Sequence, residues 1–495
     1  MQNKPPSAPA YVPRLVDIIF VAILFMAFMF GPRMLSIDSD LGRHLTIGGY
    51  ILKTRTIPIH NILSYTKANE SRPAYEWAAQ STFAVAYNLW GLDGVILLCS
   101  LIIAITFSYL YIESVSLTGL PLTSMFIILL AASASSIHWL PRPHVFTFLL
   151  LSIWTSLLER ARKTDTDSIY WLPLIMLFWA NLHGGFIFGF LIWFAYLMGE
   201  IWEWAVSKDG TPQRIAKLSK IGVYSLAASM ITPDGWGNWL AVLGNNSKYI
   251  LANTIETMPP DFHQAGTWPF VILLILVIIL PVLTRTRLHA SKIFLLAGMA
   301  VLGLYMARNI PLFAIVSISS ISECARSFSE RVTQWNKFEA RIYLLQEGIY
   351  SKLWPIIATI GFIFFIGMRS SQHSELTYRF NASVFPVQSA NWLKEHPQSG
   401  NMFNEFNWGG YLEFRLWPQQ LVFVDSQTDF YGESIIREYQ KVISIDPGWE
   451  EVIKKYSIKW VIVKEDSPLS RKLMSLDIWT SIYQDPVTII FRKSK

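Results

Sequence analysis

Apolar positions in this chain come in long blocks rather than at strand-like alternation, first from Leu15 to about Met29 and then repeatedly between Leu92 and Met368. A helix needs about 20 apolar residues to cross a bilayer. Blocks near 15–35, 93–113, 121–139, 144–159, 169–182, 184–205, 221–233, 268–284, 292–307, 310–325 and 352–369 predict about eleven spans. Lys4 and Arg14 precede the first block and Gly31-Pro32-Arg33 follows it without a small-x-small cleavage pattern, so it is read as an uncleaved span rather than a signal peptide. Trp77 to Trp90 predicts a further, interfacial helix.

From about Ser370 the pattern changes. Strand-like runs at Leu421–Asp425, Lys459–Lys464 and Val487–Arg492 alternate with helical patterns near 432–442 and 448–456. Strands separated by helices predict an α/β layer, and about 125 residues suffice for one domain. The chain divides into a transmembrane domain over 1–369, with a long first outer loop at 36–76, and a soluble domain over 370–495.

Composition sharpens the membrane reading. Of 495 residues 52% are hydrophobic and 15% charged, where soluble domains carry roughly 25% charged residues. Lys and Arg gather in alternate loops. With the N-terminus inside, the inner loops hold Arg160, Arg162 and Lys163, then Lys208, Arg214, Lys217 and Lys220. Arg285, Arg287 and Lys292 follow, then Arg326, Arg331, Lys337, Arg341 and Lys352. This is the positive-inside pattern. The first outer loop departs from it with Arg43, Lys53, Arg55, Lys67 and Arg72, but long loops report orientation poorly. An odd number of spans puts the C-terminal domain outside the cytoplasm. The net charge of +6 is accounted for by these loops and does not argue for nucleic acid, and Cys99 and Cys324 alone build neither a disulfide framework nor a thiolate metal site.

Asp38, Asp40, Glu76, Arg142, His144, His183, Asp234, Asp261, Arg308 and Asn309 all fall at the outer ends of spans or in outer loops. A charged side chain at membrane depth costs about 2.5–3.5 kcal/mol even on permissive scales, so such groups gather at wet cavities or pair with one another. Each has a plainer reading alone. Asp38-Ser-Asp40 suits an N-cap, Arg142-Pro-His144 a turn, His183 in Asn181-Leu-His-Gly-Gly185 a buried histidine, and Asp234 a turn residue. Arg308, between two short apolar runs, calls for an anion. One shared outward cavity accounts for all of them together.

In such a cavity a carboxylate gains basicity by desolvation and accepts a proton from an attacking hydroxyl. Arg offers a planar fork of donors to a departing phosphate. A proton-coupled transporter uses the same residue types. No Walker loop, dinucleotide-binding glycine fingerprint, His-Glu-x-x-His or nucleophile elbow occurs, which places ATP-driven, redox and zinc-hydrolase chemistry low.

The stretch Asp38-Ser-Asp-Leu-Gly-Arg-His-Leu-Thr-Ile-Gly48, with Tyr50-Ile-Leu and Ile57-Pro-Ile after it, resembles the first outer loop of GT-C glycosyltransferases. Glu76-Trp77, Arg142-Pro-His144, Trp179-Ala-Asn-Leu-His-Gly-Gly185 and Ala307-Arg-Asn-Ile-Pro311 resemble spaced motifs of bacterial GT-C-like membrane proteins. Phe406-Asn-Trp-Gly-Gly-Tyr411, with Arg415 and Val424-Asp425, is distantly similar to the region around the W-W-D-Y-G motif of oligosaccharyltransferase catalytic subunits. Trp408 stands where that motif has its Asp, so peptide-sequon reading does not carry over.

The resemblance implies a sugar transferred with inversion from a polyprenyl-phosphate donor to an extracytoplasmic glycan, lipid or protein, in a bacterial inner membrane. It implies Asp40 as base with Asp38 beside it, and Glu76, Arg142, His144, His183, Arg308 and Asn309 around the substrate. Trp408 and Tyr411 would lie near the acceptor. Some members need a divalent cation, Mg2+ or Mn2+, for which Asp38 and Asp40 are the candidate ligands. A transporter or flippase of an amphiphilic glycolipid would show an internal repeat, and none is visible. A non-catalytic scaffold would tolerate neutralising Asp40, Glu76 and Arg308 together.

Overall fold

A computed structural model of the chain describes residues 11–164, 166–244, 247–347, 353–371 and 377–494. Lys4, the inner-loop Lys352 and the stretch 372–376 just past the expected domain boundary lie outside the described residues.

Helices α1 (Leu15–Met29) and α2 (Gly31–Ile37) form a pair bent by 46°. Pro32 sits in the first turn of α2, where its missing N–H is tolerated but the preceding helix cannot run on through it. Helix α3 (Leu41–Thr54) lies in the segment expected as the first outer loop, and α4 (Trp77–Thr118) follows. The segment expected as a separate helix, Trp77 to Trp90, is the first part of α4; Gly91 at φ 60 breaks it from the rest, a conformation open to glycine.

Five helices continue the bundle: α5 (Pro121–Ser135), α6 (His144–Thr164), α7 (Leu172–Leu182), α8 (Phe186–Trp202) and α9 (Pro212–Ser229). Two short ones, α10 (Gly237–Gly244) and α11 (Lys248–Asn253), lead to α12 (Trp268–Thr284), α13 (Ala290–Tyr305), α14 (Ile310–Ser329), α15 (Thr333–Glu347) and α16 (Leu353–Ser371).

Among the described residues four helices are long and apolar enough to cross a membrane, or five if the bent pair is one span. Helix α14 shows why composition and position diverge. It packs against α4, α5, α6, α12 and α13, and is buried along most of its length. Its serines therefore face protein rather than lipid. Helix α12 presents Ile278 and Val282 outward, as a lipid-facing helix does.

Helix α6 runs from one polar cluster at His144 to a second at Glu159. There Lys292 pairs with Glu159 at 3.2 Å and with Glu323, while the Tyr196 hydroxyl donates to Glu159 at 3.1 Å. Arg162 pairs with Glu159 at 2.7 Å, so this second cluster joins α6, α8, α13 and α14.

The C-terminal part adds α17 (Val387–Glu395), α18 (Gly409–Leu416), α19 (Thr428–Ile443), α20 (Trp449–Lys455) and α21 (Pro468–Met474). They surround strands β1 (Asn401–Asn404), β2 (Ile458–Lys464), β3 (Trp479–Gln484) and β4 (Thr488–Lys493). The sheet order is β1-β2-β4-β3, with β1 parallel to β2 and the other pairs antiparallel. Strand β2 is central and almost wholly buried, which matches its run of apolar residues.

Leu421–Asp425, expected as a strand, does not join the sheet. Val422 instead bridges the outer loop: its N–H donates to the Leu63 carbonyl at 3.1 Å and its carbonyl accepts from Tyr65 at 3.3 Å. The short β1 and the edge strand β3 carry no continuous apolar signal and were not anticipated. The same surface sits on the bundle, where the Tyr378 hydroxyl donates to the Phe28 carbonyl at 2.7 Å and Asn381 donates to Ser36 at 3.1 Å.

Candidate active site

Asp38, Ser39 and Asp40 link the end of α2 to the start of α3. Asp38 Oδ1 accepts from the Asp40 backbone N–H at 2.8 Å and from Arg142 Nε at 2.8 Å. Arg142 Nη1 lies 2.9 Å from Asp40 Oδ2 and 2.7 Å from Glu256 Oε1. Arg43, one turn into α3, reaches Asp40 Oδ1 at 3.1 Å, and the Ser426 hydroxyl donates to the same oxygen. Asp40 occupies the N-cap position of α3, yet its side chain caps nothing. It is a salt-bridge carboxylate.

These neighbours separate the two acids. Burial pushes Asp38 up to about 6, against the pull of Arg142. Burial acts on Asp40 too, but Arg142 and Arg43 outweigh it and hold Asp40 well below the usual carboxylate range.

Arg43 also points Nη1 at Asp425 Oδ1, 3.5 Å away, and Arg72 places Nη2 3.3 Å from Asp425 Oδ2. Arg72 further donates to Gln427 at 2.5 Å and to Asn61 at 3.0 Å. Burial and the neighbouring Asp425 push Glu413 far up, while Arg72 and Arg43 hold Asp425 down against burial. Gly42 and Gly410 let the chain segments meet. A Cβ on Gly42 would run into the Gly410 carbonyl, and one on Gly410 into the Ser39 carbonyl.

Glu76 stands at the start of α4. Its Oε2 is 3.8 Å from His44 Nδ1 and its Oε1 is 4.0 Å from His183 Nε2. The His183 Nδ1 accepts from the Gly185 N–H at 3.1 Å and meets the Thr147 hydroxyl at 2.8 Å. The ring proton of neutral His183 therefore sits on Nε2, toward Glu76. This explains the Asn-Leu-His-Gly-Gly run: Asn181 accepts from the Trp77 indole at 2.7 Å, His183 faces Glu76, and Gly185 fixes the tautomer.

His144 is held by the His138 carbonyl at 2.8 Å and lies 6.4 Å, ring to ring, from His183. Arg308 is exposed, forms none of the described ion pairs, and is near enough for its charge to act on His183 and His138.

The structure thus brings Asp38, Asp40, Glu76, Arg142, His144, His183 and Arg308 to one end of the bundle. Asn309 is beside them but structural, donating to the Leu302 carbonyl at 3.1 Å. Trp408 and Tyr411, expected near an acceptor, are core residues instead. The Trp408 indole donates to the Val384 carbonyl at 2.8 Å, and the Tyr411 ring packs on Phe380 and Phe385, 5.0 and 5.5 Å away. Asp261 pairs locally with His263 at 3.2 Å, and Asp234 stays in its turn. Neither joins the cluster.

Arg43, Arg72, Glu256, Glu413 and Gln427 were not singled out as site residues. Arg43 and Val424-Asp425 stood inside quoted motifs, but Glu256 lies in an irregular segment with no pattern around it. A divalent cation on Asp38 and Asp40 does not suit the donor set. Guanidinium groups already stand against both carboxylates, and among the described residues no three His, Cys, Asp or Glu converge as a metal shell.

The sequence matches no family model and no curated protein. The fold matches solved structures. The Archaeoglobus fulgidus oligosaccharyltransferase AglB, in complex with an inhibitory peptide and a dolichol-phosphate, aligns with a TM-score of 0.60 at 10% identity, over 90% of this chain and 69% of its own. ArnT from Cupriavidus metallidurans, bound to undecaprenyl phosphate, aligns with a TM-score of 0.51 at 10% identity, over 96% of this chain and 97% of its own. The chain has the fold of these GT-C glycosyltransferases.

Proposed function

We propose that the chain transfers a sugar from a polyprenyl-phosphate donor to an extracytoplasmic acceptor, with inversion at the sugar carbon. The observation that carries this reading is the cluster of three carboxylates, Asp38, Asp40 and Glu76, around Arg142 and His183, with the exposed Arg308, which forms none of the described ion pairs, close enough for its charge to act on His183. Both structural neighbours were solved with a polyprenyl phosphate, which supports the same donor class here.

In this reading an acceptor hydroxyl attacks the sugar carbon while the bond to the phosphate breaks, and the electron pair leaves with the phosphate oxygen. Arg308 takes up the growing phosphate charge, and the Nε2 proton of His183 faces Glu76. Asp38 and Asp40 fix Arg142 and Arg43 around the reacting centre. About eleven crossings and an inner-membrane location belong to this proposal. The sorting of Lys and Arg to the cluster around Glu159 and Lys292, at the other end of α6, supports a site facing away from the cytoplasm.

Purified protein in detergent is expected to be stabilised against heat by undecaprenyl phosphate. Arg308→Ala is expected to weaken that binding about 10–100-fold, the size of a charged hydrogen bond. A wild-type melting curve indifferent to the lipid phosphate would count against the donor class.

A further inference from the structure

A small cavity, partly open to solvent, lies beside the carboxylate cluster with Glu76 in its wall. Its lining is mixed: Ile51, Ile57 and Trp77 are apolar, while Glu76, Arg72, Gln80 and Gln427 offer polar groups. Asp38 and Asp40 do not line it. The two kinds of carboxylate differ in what they have left to give. Both oxygens of Asp40 are engaged, by Arg142, Arg43 and Ser426. Among the described residues the ion-pair partners of the Glu76 oxygens are histidines, at 3.8 and 4.0 Å, beyond hydrogen-bond range. The Trp77 indole is pinned to Asn181, so one ring face is held in place at the cavity wall.

Resting on the transferase reading, we infer that this cavity is the acceptor pocket, that it takes a hydroxyl compound with an apolar or sugar-ring face, and that Glu76 rather than Asp40 receives the hydroxyl proton. The acceptor oxygen bonds to the sugar carbon, the sugar–phosphate bond breaks toward phosphate, and the acceptor proton moves to a Glu76 oxygen. Each charge has a destination, and no metal or other reactant is needed.

The surroundings of Glu76 fit that task. Burial pushes its carboxyl up to about 7, Asp40 and Asp429 add to the rise, and Arg43 and Arg142 oppose it. His44 and His183 complete the groups that face it. A base needs its deprotonated form, so turnover falls as pH drops through about 7.

The test uses membranes containing the whole chain, supplied with undecaprenyl-phosphate-linked sugars extracted from bacteria. Free undecaprenyl phosphate, the product common to any acceptor, is read by mass spectrometry. Glu76→Gln is expected to cut its release by about 100-fold or more while undecaprenyl phosphate still stabilises the protein. Glu76→Asp keeps part of the rate and the acid limb, and Ile57→Trp, which fills the cavity, lowers release without weakening lipid-phosphate binding. Should Glu76→Gln release the product within threefold of wild type, the proton-acceptor assignment is wrong.

Dicyclohexylcarbodiimide, which attacks protonated carboxyls in apolar settings, tests the wild-type protein directly. Glu76 is expected to be labelled at pH 6 and spared above pH 8, and labelling absent at pH 6 overturns the proposal even if the variants fail to fold. Failure of wild type to bind undecaprenyl phosphate strikes the transferase reading instead. Binding that persists while Glu76→Gln stays active strikes only this one.

Discussion

Arg142→Met is expected to lower the stability of the detergent-purified protein by about 3–5 kcal/mol, the cost of breaking a buried ion pair from one side. Arg142 bridges Asp38 Oδ1 and Asp40 Oδ2 through its guanidinium, and it also takes Glu256. Methionine fills much of the same volume but leaves two buried acids facing each other. They respond by taking up protons, so the deficit is expected to shrink below about pH 5 and to be complete at neutral pH. The sign follows from Asp40, whose pKa is held low by Arg142 and Arg43 despite burial. That stability is present above the ordinary carboxylate range and is lost as Asp40 protonates. Unfolding in denaturant at pH 4 and pH 7.5 checks it; equal losses at both pH values would mean that packing, not charge, is what Arg142 supplies. Product release is expected to fall below detection at either pH.

Gly42→Val carries the second large effect. The position lies inside α3, where valine alone costs a few tenths of a kcal/mol. The obstacle is the neighbour. The three atoms nearest to such a Cβ belong to the backbone of Gly410 and Tyr411, which cannot rotate away as a side chain does. Overpacking of this kind costs about 1–3 kcal/mol, occasionally more. The strain falls on the contact between α3 and α18, so the expected result is a looser junction rather than global unfolding. Limited proteolysis between Trp408 and Gln427 is expected to speed up while the melting of the bundle helices changes less. Gly49→Val, in the same helix with open space around it, serves as the control and is expected to be silent in this assay.

Much of the bundle was legible because membrane helices announce themselves by length of apolar run. The runs at 121–139, 184–205 and 268–284 coincide with helices that meet the length and composition of a span. Helix α14 is harder to read as a span because its neighbours, not lipid, surround it. The C-terminal region divided by burial. Strand β2, apolar on both faces, was visible, whereas β3 buries Trp479 alone, exposes Thr480, Ser481 and Gln484, and looks like loop.

At the site, the ionisable residues set in apolar surroundings stood out by cost alone: Asp38, Arg142, His183 and Arg308. Arg72 and Glu256 did not, since charges in polar loops are ordinary until folding buries or pairs them. Trp408 and Tyr411 were misplaced because motif likeness fixes the order of residues along the chain, not which way a ring turns.

The junction between the bundle and the C-terminal region has a bearing on how such proteins are recombined. Asp425, Ser426 and Gln427 serve as counterparts to Arg43, Asp40 and Arg72, and Val422 is stitched to Leu63 and Tyr65. A chimaera that grafts a foreign tail onto residues 1–369 would strip Arg72 of its counter-charge and leave Arg43 with Asp40 alone at the moment of assembly. Swaps between relatives of this fold are therefore expected to succeed only when the segments around 57–76 and 408–429 travel as a pair, as one inherited unit split across the sequence.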